Sequence, residues 1–232
     1  MPAYCQRAAY EAFAQQIPCI DTTPGLFRAA FAIARHELPA AEVAPAEATI
    51  AQLARTVEQR VRSQNLDAKL AHLHDVLFDV VRFTGNGQDY YNPANSYLPE
   101  VLRTKRGLPI TLVLIYKAVA EQLGLEVQGI NSPGHFLAAV RQTTRGNSND
   151  TAYERWMYVD PFYGGELLTR QDVFHRIADA TGQPLTANDK WLTPATHRQW
   201  LGRMLNNLQA IFAHTGRERD LFAMQELQQL LT

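Results

Sequence analysis

The sequence predicts an α+β fold. A helical N-terminal region spans residues 1–82, a core spans 83–182 with a small antiparallel sheet packed on a buried helix, and an α-hairpin spans 183–232. Three observations predict it. Apolar residues recur at helical spacing through the first eighty positions. The stretch Leu108 to Leu123 is apolar nearly all round. After Gly124 the pattern changes to short runs with strand character.

Each element has its own local signal. Thr23 and Pro24 read as a cap followed by proline in the first helical position, and Phe27, Phe31, Ala34 and Leu38 continue at helical spacing. Ile50, Leu53, Val57 and Val61 mark the next helix, after Pro39 and Pro45. Leu70, Leu73, Leu77 and Val80 mark another. Gly85-Asn86-Gly87 and the run from Tyr90 to Ser96 are too broken for an element and too aromatic for a flexible linker. A helix with no wet face belongs in a core, which places 108–123 there, and Gly124 suits its C-terminus.

Residues 126–131, 135–141 and 154–160 read as strands, the last two joined by the polar loop QTTRGNSNDTAY. Thr169 and Asp172 form a capping box for a helix carrying Val173, Phe174 and Ile177, closed by Gly182. Thr193-Pro194 reads as the start of a helix with Leu201, Met204, Leu205, Leu208, Ile211 and Phe212 on one side. Its partner beyond Gly216 carries Leu221, Met224, Leu227 and Leu231. The pair resembles a single tetratricopeptide unit. One copy cannot bury a solenoid core, so the hairpin is expected to pack on the rest as one cooperative unit.

Composition excludes several function classes. Of 232 residues, 46% are hydrophobic and 19% charged, as in a globular protein. Lys and Arg number 22 against 23 Asp and Glu, a net charge of −1. That balance lacks the basic footprint of a nucleic-acid binder or of an anionic-membrane binder. The most apolar run, Gly107 to Tyr116, is far shorter than the roughly 20 residues that span a bilayer. The first residues lack the basic-then-apolar order of a secretory signal. Cys5 and Cys19 are no disulfide framework. A soluble cytoplasmic protein with a reduced interior is expected. No metal or cofactor is expected either. His72 and His74 are two apart on a helix and do not share a face. Gly85-Asn86-Gly87 lacks the lysine and hydroxyl of a phosphate loop.

Chemistry concentrates at three places: Arg106 to Thr111, Pro133 to Phe136, and Tyr158 to Phe162. If 135–141 pairs antiparallel with 154–160, a natural register sets His135 opposite Asp160 and Arg141 opposite Glu154. Opposed residues share a face, with Cβ atoms about 4.5–5.5 Å apart, so imidazole and carboxylate can hydrogen-bond. Such a pair is the second half of a Cys-His-Asp or Ser-His-Asp arrangement, and equally a structural ion pair near a strand end. A nucleophile would sit at the N-terminus of the buried helix, where the dipole lowers a thiol's pKa. That helix opens on Pro109, and Thr111 is the nearest hydroxyl. Arg103, Lys105 and Arg106, just before it, could help hold an anion.

The segments FTGNGQDYYNPANSYLPEVLRTKRGLPITLVLIYKAVAEQLGL, PGHFLAAV, YVDPFYGGELLT and RMLNNLQAIF resemble the SirB-type transglutaminase-like family, of the transglutaminase/papain-like superfamily. The resemblance runs from about residue 20 to the end. It implies a papain-like arrangement of buried helix and sheet. In catalytic members a cysteine opens the helix, a histidine starts the next long strand and an aspartate ends the following one. Carried over by position, these are Pro109, His135 and Asp160, so the nucleophile is missing. Thr84 also stands where the family often carries arginine. The expected function is therefore non-catalytic binding of a protein or peptide partner in a regulatory role, in a groove lined by His135, Asp160, Asn95, Ser96, Arg106, Gly107 and Pro109. The alternative is an acyl hydrolase or peptidase in which Thr111, Ser96 or activated water replaces the thiol. A third reading places the working surface on the tail hairpin. Neither the partner nor the oligomeric state is set by the sequence.

Overall fold

In a computed structural model that describes residues 1–62, 65–142, 156–182 and 187–232, every residue from Pro109 to Ala120 is buried. The other elements enclose this helix. In chain order they are α1 (Arg7–Ala14), α2 (Thr23–Ala34), α3 (Val43–Arg60) and α4 (Leu66–His74), which runs on as a π-helical turn over Asp75–Val80. Then come β1 (Thr84–Gly85), a 3-10 turn (Pro93–Ser96), α5 (Leu98–Thr104), β2 (Arg106–Gly107) and the buried helix α6 (Pro109–Gln122). The core closes with β3 (Val127–Ile130), β4 (Leu137–Arg141), β5 (Trp156–Asp160), β6 (Glu166–Leu168) and α7 (Arg170–Thr181), followed by α8 (His197–His214) and α9 (Glu218–Gln229). The mixed α+β architecture agrees with the sequence reading.

The caps explain where the expected boundaries hold and where they move. Thr169 and Asp172 form the anticipated capping box of α7, and Gly182 ends it in the left-handed region. Helix α2 is capped one residue early, by Thr22, whose hydroxyl accepts from the Gly25 N–H. Helix α8 begins at His197, not after Pro194, because Thr196 and Gln199 form a reciprocal box there. Thr193 and Pro194 stay extended instead. Pro194 bridges to Ile130, and the Ala195 N–H donates to the Gly129 carbonyl at 2.8 Å, covering the edge of β3. The stripe expected through Val80 also shifts. The wider π-turn rotates the buried face to Leu73, Val76 and Leu77 and leaves Val80 52% exposed. Helix α5 and the two-residue strands β1 and β2 were not anticipated, being too short to show a period.

The strands pair antiparallel in the order β3-β4-β5-β6. Val127, Ala138, Val140 and Val159 belong to the core around α6 and α8. Ile130, Leu137, Ala139, Tyr158 and Leu168 pack instead with Val173, Ile177 and Leu192. Trp200 of α8 is fully buried against Phe136, with ring centroids 4.6 Å apart, and its indole N–H donates to the Ile110 carbonyl at 3.3 Å. The ring fits because residue 129 has no side chain. A Cβ there would lie 2.2 Å from Trp200.

The tail hairpin packs on α2 and α6. Asp220 bonds His36 at 2.9 Å, and Arg217 pairs with Glu37, which also accepts from the Tyr97 hydroxyl at 2.6 Å. Glu226 accepts from the backbone N–H groups of Ala3, Tyr4 and Cys5, tying the N-terminus to α9. Among the described residues, no helix is long and apolar enough to cross a membrane.

Two outcomes follow. Gly129→Ala should lose about 1–3 kcal/mol by overpacking against Trp200, whereas Gly87→Ala, with open space at its Cβ, should change stability by less than about 0.5 kcal/mol; urea titration measures both. Removing the chain from Leu192 onward strips the apolar faces of α2 and α6. The shortened protein should aggregate or lose its thermal transition, and an unchanged melt would show the hairpin to be an independent module.

Candidate functional site

The start of α6 is pinned from two sides. Strands β1 and β2 run parallel, with Thr84 beside Arg106 and Gly85 beside Gly107. The Thr84 N–H donates to the Lys105 carbonyl at 2.9 Å and the Asn86 N–H to the Gly107 carbonyl at 3.1 Å. The Leu108 N–H donates to the Asn95 carbonyl at 3.1 Å. Leu108 is the extended cap residue, and Pro109 takes the first helical position, where its lack of an N–H leaves nothing unpaired.

The buried imidazole and carboxylate meet as expected, through a different register. Ala138 lies opposite Val159 and Arg141 opposite Trp156, two residues from the predicted pairing. Asp160 stays with its partner because an even shift preserves the face, and the diagonal neighbour two residues away remains within a long side chain's reach. His135 Nε2 and Asp160 Oδ2 are 2.8 Å apart. Glu154, the expected partner of Arg141, lies outside the described residues, as does most of the polar loop; Arg141 bonds Glu126 at 2.7 Å. Asp160 is wholly buried and its other oxygen accepts from the Phe162 N–H at 3.1 Å. Arg176 of α7 approaches with Nε 3.6 Å from Oδ2. Among the described residues Asp160 is the only hydrogen-bond partner of the His135 ring.

Aromatic rings join this pair to the start of α6. Phe162 meets the His135 ring edge-on at 6.1 Å, and its ring lies where a Cβ of Gly85 would be. Gly85 is the β1 residue beside Gly107, so His135, Phe162, β1, β2 and α6 follow one another in contact. Tyr163, 6.2 Å from His135, carries the Arg176 guanidinium over its ring at 4.0 Å. Tyr90 and Tyr91 continue the row to His214. Tyr91 is 66% exposed and Tyr163 53%.

The remaining candidates fall in different places. Asn95 is buried and consumed within its loop: its amide donates to the carbonyls of Asp89 and Tyr90 and accepts from Asn86. Ser96 and Thr111 are buried, and neither hydroxyl has a partner among the described residues. Gly107 and Pro109 are buried, and Arg106 is exposed. Arg103 is paired with Glu100 at 2.6 Å, and Lys105 folds back on the Leu102 carbonyl. His74 is bonded to the Tyr116 hydroxyl at 2.9 Å, and burial pushes its pKa down to about 4. Among the described residues, no three His, Cys, Asp or Glu side chains cluster so as to hold a metal ion. Sequence reasoning missed Arg176 and the aromatic row. Arg176 does leave a signal, a cation on the same helical stripe as Val173 and Ile177.

His135→Ala leaves Asp160 buried beside an arginine too distant for a full hydrogen bond. It should cost about 3–5 kcal/mol in chemical denaturation. The double variant with Asp160→Asn should fall short of the sum of the single losses by about 0.5–3 kcal/mol. Strict additivity would mean the two side chains are not coupled.

The profile of the transglutaminase-like superfamily matches residues 44–206. A UPF0162 protein of Xylella fastidiosa (strain 9a5c) is 31% identical over 201 residues, covering 85% of this chain and 68% of that protein. A UPF0162 protein of Pseudomonas aeruginosa is 26% identical over 222 residues, covering 92% and 75%. F-box only protein 21 of Homo sapiens is 37% identical over 131 residues, which are 56% of this chain and 19% of that protein. No solved structure matches. With a buried helix, a histidine just before β4 and an aspartate ending β5, this chain belongs to the transglutaminase-like superfamily and to its UPF0162 proteins.

Proposed function

We propose that this chain is a SirB-type transglutaminase-like protein without a nucleophile, a cytoplasmic pseudoenzyme that binds a protein or peptide partner in a regulatory role. The observation that carries the reading is Pro109 in the first position of α6. A thiol mechanism needs a thiolate held by the helix N-terminus and an imidazolium. Neither cysteine supplies one. Cys5 is buried beside Glu226, and burial pushes its thiol up to about 12. Cys19 sits before α2, with Sγ donating to the Gln16 carbonyl at 3.3 Å. The closed hydroxyls of Ser96 and Thr111 weigh against a substitute nucleophile.

What remains at this place is a contact surface. Tyr90, Tyr91 and Tyr163 are exposed around the buried His135–Asp160 pair. Exposed aromatics with few rotatable bonds bury large area at low entropic cost, which suits partner binding. Arg106 adds a charge beside the same helix start.

Pro109→Cys tests the vestigial centre. Its thiol should titrate below the ordinary value of about 8.5 in the pH dependence of iodoacetamide alkylation, and adding His135→Ala should move it back up. An ordinary titration untouched by His135 would sink the reading of the site. The wild type should incorporate no amine into casein and hydrolyse no peptide. Hydrolysis abolished by Thr111→Ala or Ser96→Ala would establish the enzyme alternative. Peptides selected on the wild type from a displayed random library should bind the Tyr91→Ser, Tyr163→Ser double variant at least about tenfold more weakly. Undiminished binding would place the partner elsewhere, the tail hairpin included.

A further inference from the structure

The other half of α6 carries a feature that neither the family match nor the His135–Asp160 site accounts for. Lys117 is only 6% exposed, on a helix that is apolar from Leu112 to Tyr116 and again from Ala118 to Ala120. Its ammonium donates to Glu121 and, at 2.6 Å, to the Val127 carbonyl. The second oxygen of Glu121 accepts from the Thr23 hydroxyl at 2.5 Å. These residues line a cleft of about 440 Å³ with Asp21, His197 and Trp200. A second cleft, of about 480 Å³, lies between α2, α3 and α6 and is walled by Pro24, Phe27, Ile50, Ala51 and Ala118. Thr23 and Glu121 line both, so their hydrogen bond marks the junction.

The polar chamber is built to accept hydrogen bonds. Lys117 and Thr23 hold the Glu121 carboxylate from two sides, which fixes its orientation. His197 Nδ1 lies 2.7 Å from the Ile20 carbonyl, so Nδ1 carries the proton and Nε2 keeps its lone pair in the neutral ring. Burial holds the ring's pKa below the ordinary value, which keeps it neutral. The charges of Lys117 and Glu121 cancel, and Glu126 is paired with Arg141. Asp21 is exposed, has no hydrogen bond or ion pair among the described residues and lies close enough to act on His197. The chamber therefore holds one uncompensated negative charge and preset acceptors. The adjoining chamber is apolar, with its one cation, Arg28, paired to Glu47 at 2.6 Å on its wall.

We propose that this two-part cleft binds a small primary ammonium ion with an apolar body, an alkylamine or arylalkylamine, its head among Asp21, Glu121 and His197 and its body along Phe27, Ile50 and Ala51. The head supplies N–H donors to Asp21, to Nε2 of His197 and to the second lone pairs of the Glu121 oxygens, and the alkyl body takes apolar surface out of water. A carboxylate head would meet like charge. The proposal is independent of the His135–Asp160 reading.

Calorimetric titration with n-hexylamine, n-butylamine, hexanol and hexanoate tests it. Hexylamine should bind saturably. Butylamine should bind about fifteenfold more weakly, as two fewer methylenes imply, and hexanol and hexanoate should not bind measurably. Asp21→Asn should weaken hexylamine about tenfold, the loss of a charge-assisted hydrogen bond. Ala51→Phe, which fills the apolar chamber, should abolish the difference between the two amines. Thermal melts of both variants confirm folding. No saturable binding of hexylamine, equal binding of hexanoate, or binding indifferent to both substitutions would overturn the proposal.

Discussion

A helix apolar nearly all round has no stable position at a surface, and that requirement shapes the whole molecule. Helix α6 must be covered on every side, and the sheet, α2, α3, α5 and α8 all contribute to the cover. Burying one large aliphatic side chain contributes about 1.5–3 kcal/mol, so the helix that carries Leu112, Val113, Leu114 and Ile115 holds a large share of the apolar stabilisation. The tail hairpin is part of that enclosure. Trp200 reaches from α8 to the first turn of α6, and Gly129 leaves room for its ring.

The same enclosure creates both ends of the helix as chemical environments. At the N-terminus, β1, β2 and the Asn95 loop set the entry, and Phe162 brings the His135–Asp160 pair alongside. Among the described residues no cysteine stands there, and the Ser96 and Thr111 hydroxyls are buried. Proline suits the helix start sterically, because the N–H it lacks has no partner in the first turn. Toward the C-terminus the cover is incomplete, and Lys117 and Glu121 face a cleft. A buried charge is retained only with close partners, which Glu121 and the Val127 carbonyl provide.

Much of this is legible in the amino-acid sequence. The α+β class followed from the change of period after Gly124, the capping box of α7 from Thr169 and Asp172, and the closeness of His135 and Asp160 from strand alternation. The register was misjudged by two residues because a long loop carries no tight-turn signal to set it. The expectation of proximity survived because alternation depends only on parity. The start of α8 was misplaced because Thr193-Pro194 resembles a helix opening, whereas the reciprocal Thr196–Gln199 box satisfies more backbone donors.

By itself the sequence determined what local chemistry can dictate: the longer helices and strands and most of their apolar faces, that Pro109 opens the buried helix, and that His135 and Asp160 share a face. Only the tertiary structure decided what depends on elements distant in the chain. It brought Arg176 to Asp160, seated Phe162 on Gly85, closed Asn95, Ser96 and Thr111 away from solvent, and set Lys117 between Glu121 and β3. The physical reason is that a residue's period encodes the direction of its side chain relative to its own element, whereas its contacts depend on how two separately buried faces come to rest against each other.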